Sequence, residues 1–227
     1  MSRNGTPVVA VVDYGAGNLV SIEQALTRVG AGVVVARDPE AMRGADLLVV
    51  PGVGAAGPAM ERLERRGLVT AIRAWIEAGR PYLGICLGLQ LLFEASDEDG
   101  AETFGILEGR TALLADAPTL PHIGWNQVER TRAHPVFDGI APDADFYFVH
   151  SYAGVPAGAS GLDGVLATTT HGRPFVSAVA LDSLVGVQFH PERSGSDGLR
   201  FLKNVVDLVA TGELRPNRTS AAATLLV

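Results

Sequence analysis

The chain reads as an α/β protein, with a mostly parallel, twisted central sheet, helices on both faces, and additional antiparallel strands in the second half. Three observations predict this. Short continuous β-branched runs such as "VVAVV" mark strands buried on both faces. Helix-period segments separate those runs over about the first 95 residues, the alternation that builds parallel βαβ units. Beyond them, strand-like pieces crowd together with turn residues between, as antiparallel pairing requires.

The first strand is Val8–Val12. "NLVSIEQALTRVG" follows with helical periodicity and closes on Gly30, a C-cap residue. "GVVVA" (Gly32–Ala36) and "DLLVV" (Asp46–Val50) are the second and third strands. "PGVGAAG" then opens a helix from about Pro58 to Ala78, which Gly79 stops. "PYLGI" is a fourth buried strand, leading through Cys86 into a helical "GLQLLFEAS". Downstream, "FGILEG", "RTALLA", "NQVERT", "DFYFVHSYAG", "GVLATTT", "PFVSAVAL" and "LVGVQFH" read as strands. "SDGLRFLKNVVDLVATG" is an amphipathic helix carrying Leu199, Leu202, Val205, Val206 and Val209 on one stripe. Residues 1–212 are expected to form a single domain and 213–227 a flexible tail.

Composition narrows the function. Of 227 residues, 47% are hydrophobic and 19% charged, enough for a substantial core. A net charge of −7 argues against a nucleic-acid binder, which needs a basic face. The longest apolar runs are too short to span a bilayer, and the N-terminus lacks the parts of a signal peptide, so no membrane partner is expected. One cysteine makes neither an internal disulfide nor a Cys-built zinc cluster, and the expected home is the reducing cytoplasm.

That cysteine stands at the end of a buried strand in Gly84-Ile85-Cys86-Leu87-Gly88. G-x-C-x-G has the shape of the serine nucleophile elbow, with glycines permitting a sharp turn before a helix. A helix N-terminus favours thiolate character. Taken alone, Cys86 is as readily a small buried apolar residue. A nucleophilic thiol needs a base and the base an orienter. "LVGVQFHPE" supplies both: Leu184–Phe189 is a buried strand, His190 emerges at its end, and Glu192 lies two residues on, facing the same way if the chain is extended. His122, His134, His150 and His171 carry the ordinary expectation of structural or solvated histidines. "GVGAAG" (Gly52 to Gly57) spells a dinucleotide fingerprint, but it follows the third strand and lacks a downstream ribose-binding acid. A loop whose backbone N–H groups face the neighbouring Cys86 turn, or a plain tight turn, fits better.

Together, "PGVGA", "GICLGLQLLFE" and "GVQFHPE" resemble the triad-type (class I) glutamine amidotransferase family. "VVDYGAGNLVSIEQAL", "PHIGWNQV" and "YFVHSYAG" resemble the branch of that family whose members are glutaminase subunits of imidazole glycerol phosphate synthase. The resemblance covers about residues 8 to 210. It implies a flavodoxin-like sheet, no cofactor and no metal. It also implies that Cys86 attacks the glutamine side-chain amide, His190 transfers the protons and Glu192 orients His190. The oxyanion would be held by N–H groups of Leu87 and of the Gly52–Val53 loop. Gln90 and the Ser151 and Tyr152 backbone would contact the substrate. Ammonia would pass to a cyclase subunit in a heterodimer, with Asn18, Trp125, Asn126 and Tyr147 as interface candidates. Rival readings are a glutaminase subunit of another synthase, a stand-alone γ-glutamyl hydrolase, and a non-enzymatic binding subunit.

Overall fold

The computed structural model describes residues 5–214. In chain order, β1 (Val8–Val12), α1 (Leu19–Arg28), β2 (Gly32–Ala36), β3 (Leu47–Gly52), α2 (Ala56–Arg65), α3 (Leu68–Glu77) and β4 (Tyr82–Cys86) make the alternating first half. A short α4 (Leu87–Gln90) follows, then β5 (Ala95–Ser96), β6 (Gly109–Leu113), β7 (His122–Gln127), β8 (Glu129–Arg130), β9 (Asp145–His150) and β10 (Tyr152–Pro156). The chain continues through α5 (Gly158–Asp163), β11 (Val165–His171), β12 (Arg173–Leu181), β13 (Leu184–Val187) and α6 (Gly195–Thr211).

The main sheet has eight strands in the order β2-β1-β3-β4-β13-β12-β11-β8. The run from β2 to β13 is parallel, and β12, β11 and β8 continue it antiparallel. β4 therefore lies between β3 and β13, so the carboxyl ends of all three open on one edge. Ligands gather at such an edge in open parallel sheets. Apolar residues fill both faces. One core holds Ile22, Ala25 and Leu26 of α1 with Phe201, Leu202 and Val205 of α6. The other holds Ala59 and Leu63 of α2 with Leu68, Ile72 and Trp75 of α3. Two small sheets, β10-β6-β5 and the β7–β9 ribbon, stand beyond the main one.

Several boundaries differ from the sequence reading. The expected helix Pro58–Ala78 is two helices, because Gly67 takes φ 67 and turns the chain between α2 and α3. "GLQLLFEAS" makes only one helical turn. Glu94 N–H then bonds Gly109 O and Thr103 N–H bonds Glu94 O, so tertiary pairing takes the backbone from the helix. "FGILEG" is no strand; Phe104, Gly105 and Ile106 donate back to Leu91, Phe93 and Leu92. The third strand extends to Gly52, and β13 stops at Val187. Leu214 is buried, and residues 215–227 of the expected tail lie outside the described residues.

A histidine chain fastens the ribbon. Tyr152 O accepts from His150 Nδ1 at 2.9 Å, which leaves His150 Nε2 to accept from His122 Nδ1 at 3.2 Å. His122 Nε2 then accepts from the Asn126 amide at 3.3 Å. His171 stacks on His122 with ring centroids 4.0 Å apart. The chain works only with both rings neutral, and burial enforces this. It holds His122 down to about 4 and, against the pull of the Tyr152 carbonyl, His150 down to about 3. Folded values below the unfolded value mean that the unfolded chain binds more protons. The stabilisation is therefore full above about pH 6.5 and is lost as pH falls toward 4 and 3. Urea unfolding should show a loss of a few kcal/mol, to order of magnitude, between about pH 7 and pH 4, and His150→Gln should remove much of that loss. An equally steep acid limb in the variant would contradict the assignment.

Candidate active site

Cys86 ends β4 at φ 54, ψ −107, a conformation that L residues rarely adopt. Two glycines make room for the turn. A Cβ on Gly84 would lie 2.4 Å from Gly88 O, and one on Gly88 only 1.8 Å from Val50 O. The α4 backbone therefore presses onto β3 and β4, which swings the thiol out of the strand's alternation. Cys86 pairs in register with Gly52, so the loop after β3 begins beside the sulfur. Sγ lies 3.5 Å from Gln188 Nε2 and 4.0 Å from Val149 O.

His190 and Glu192 arrive from the neighbouring strand β13. His190 Nδ1 meets Glu192 Oε1 at 2.8 Å, with both side chains buried. The pairing is as expected, but the route to it differs. The segment Pro191–Arg193 is a 3-10 turn, not extended chain. The turn is locked to the ribbon: His190 N–H donates to Tyr147 O, and Ser194 Oγ donates to His190 O while accepting from Tyr147 N–H. His190 Nε2 has no hydrogen-bond partner among the described residues. Burial disfavours its charged form, but the negative charge of Cys86, with Glu192 behind it, outweighs burial and pushes His190 up to about 10.

Val149, whose carbonyl lies 4.0 Å from Sγ, lines a cavity of about 190 Å³ together with Gly54, Gln90, Glu98, Ser151 and Tyr152, among others. The cavity is smaller than drug-sized pockets and suits one small molecule. Gln90 is buried, and its Nε2 donates to Tyr152 O at 2.8 Å and to Gln188 Oε1 at 3.1 Å. The predicted substrate residues thus meet at one place. The sequence reading missed Gln188 and Glu98, while His150, expected to be structural, sits in the ribbon's hydrogen-bond chain and also lines the cavity. Gln188 sits in the quoted "GVQFHPE", where its place two residues before His190 was the available signal; Glu98 carried none. A larger groove of about 280 Å³ between β10 and β12 is mainly apolar and lies apart from this chemistry.

The surface candidates divide. Trp125 and Ile123 of the ribbon are 56% and 59% exposed, and Trp125 meets Tyr147 edge to face. The Arg193 guanidinium lies 4.1 Å over the Tyr147 ring. Asn18 caps α1 by accepting from Ser21 N–H, and Asn126 bonds His122 and Thr170 O. Both therefore have local structural work. Among the described residues, no cluster of three or more His, Cys, Asp or Glu could hold a metal, and no helix is long and apolar enough to cross a membrane.

The class-I glutamine amidotransferase model matches residues 10–208. The imidazole glycerol phosphate synthase subunit HisH of Symbiobacterium thermophilum is 49% identical over 210 residues, covering 89% of this chain and 97% of that protein. HisH of Aquifex aeolicus is 49% identical over 196 residues, covering 86% and 93%. In fold, a solved glutamine amidotransferase structure aligns with a TM-score of 0.67 at 22% identity, covering 88% of this chain and 98% of that one. The match runs from β1 into α6 and includes every strand end around Cys86; this chain belongs to the class-I glutamine amidotransferase family.

Proposed function

We propose that the chain is the glutaminase subunit of an imidazole glycerol phosphate synthase. In this reading residues 1–212 form one amidotransferase domain that hydrolyses glutamine to glutamate and ammonia. A cyclase partner uses the ammonia to make imidazole glycerol phosphate and the aminoimidazole carboxamide ribonucleotide in histidine biosynthesis. The observation that carries the reading is the convergence of Cys86, His190 and the buried Glu192 on adjacent strand ends, with Val149 linking the sulfur to an amino-acid-scale cavity. The near-full-length likeness to HisH proteins supports the choice of synthase.

Cys86 gives its proton to His190 and attacks the side-chain amide carbon. N–H groups of Leu87 and the Gly52–Val53 loop hold the oxyanion. His190 then donates its proton to the departing nitrogen, the C–N bond breaks, and ammonia leaves a thioester. Water, deprotonated by His190, attacks the thioester and releases glutamate and the thiol. Glu192 fixes the imidazole through Nδ1, so Nε2 faces the chemistry. Gln90 holds the Tyr152 carbonyl, which orients the Ser151–Tyr152 backbone for the substrate α-carboxylate. Glu98, across the same cavity, offers its carboxylate to the α-ammonium.

Free ammonia protonates and diffuses away in bulk water, so a synthesis needs a docked acceptor. Trp125 and Ile123, exposed on the ribbon that also anchors the His190 turn, suit an interface anchor. Tyr147, which meets Trp125, and Asn126 and Asn18 are the further interface candidates in this reading. A catalytic thiol without a disulfide partner suits the cytoplasm.

Glutamine hydrolysis should rise steeply when a cyclase subunit and its nucleotide are added, and Cys86→Ala should abolish it. Equal hydrolysis with and without the partner would favour a stand-alone hydrolase. Glu98→Gln should raise the KM for glutamine about tenfold with kcat little changed, the signature of lost ground-state binding; an unchanged KM would remove Glu98 from the site.

A further inference from the structure

Tyr14, which follows β1 in "DYGAGN", has no role in the chemistry above. It is 1% exposed and packs in the core on the α2/α3 side of the sheet. Its hydroxyl is buried without a hydrogen-bond partner among the described residues. A buried hydroxyl left unpaired is destabilising. A Cβ built on Gly52 would lie 2.0 Å from that oxygen, so the hydroxyl rests against the Gly52 backbone. Cys86 belongs to the core on the opposite, α1/α6 side. Gly52, paired in register with Cys86, therefore separates the tyrosine oxygen from the sulfur side.

Peptide geometry links the two sides. The Gly52 carbonyl and the Val53 N–H belong to one trans peptide unit and point in opposite directions. When Val53 N–H faces the sulfur side to hold an oxyanion, the Gly52 carbonyl faces the tyrosine. We propose that Tyr14 is a positioning residue for the oxyanion donor: its hydroxyl donates to the Gly52 carbonyl in that orientation and holds it there. The inference rests on the glutaminase reading. In the present structure that bond is not made, since the hydroxyl has no partner among the described residues. The loop has the freedom to turn. Gly52 is the last residue of β3 and has no side chain, Val53 is 47% exposed, and Gly54 sits at φ 90.

Tyr14→Phe keeps the ring and removes the hydroxyl. In the free chain it should leave the urea midpoint unchanged or raise it, since no bond is lost. In the complex with the cyclase and its nucleotide, kcat should fall about tenfold with the KM for glutamine unchanged. The rate of Cys86 alkylation by iodoacetamide should also stay constant, since that displacement forms no oxyanion. A lowered midpoint in the free variant overturns the inference, because the hydroxyl would already be bonded. An unchanged kcat overturns it too and leaves the glutaminase reading intact. A wild-type complex that does not hydrolyse glutamine overturns that reading itself, and the inference with it.

Discussion

The structure depends on how closely two backbones approach where β4 leaves the sheet. Gly88 lies against the Val50 carbonyl, and Gly84 lies against Gly88, with no room for a methyl group at either position. This contact forces Cys86 into its unusual φ and ψ, a strain of order 1–3 kcal/mol that surrounding packing must offset. In return the thiol turns out of the strand toward the ends of β3 and β13. The parallel order β3-β4-β13 then sets three loops side by side: the Gly52 loop, the Cys86 turn and the His190 turn.

Histidine chemistry here is set by surroundings and not by residue type. His122, His150 and His190 are all buried. Burial pushes the first two down, His150 against the pull of the Tyr152 carbonyl, and the contact between the two rings needs one nitrogen free to accept. His190 has a carboxylate on Nδ1, and this together with the influence of Cys86 outweighs the same burial. The neutral pair ties the ribbon to Tyr152, and the ribbon's Tyr147 ties down the His190 turn. One small sheet thus connects substrate backbone, general base and exposed Trp125.

Much of this was legible in the sequence. The β-branched runs gave the parallel strands, and Gly30 and Gly212 marked helix ends. The G-x-C-x-G and His-Pro-Glu segments led to the three residues that converge. What escaped was what distant segments decide. "GLQLLFEAS" has helical periodicity, but Gly109 and Thr103 claim the Glu94 backbone. Gln90 and Gln188 meet across 98 residues, which no local pattern announces. An extended chain would set His190 and Glu192 on one face, whereas a 3-10 turn is what brings them together. Gly67 was visible in "RRGL", yet the apolar stripe on both sides reads as one helix until its positive φ is seen.

The central claim is that Cys86 and Glu192 together hold a proton on the His190 imidazole. Nitrogen-15 NMR of the labelled imidazoles measures it directly. The His190 ring should remain protonated on both nitrogens well above pH 8, in line with a value near 10, and Cys86→Ala should bring its titration sharply down. A His190 that titrates near 6.5 in the wild-type chain, and does not move when the sulfur is removed, would contradict the account.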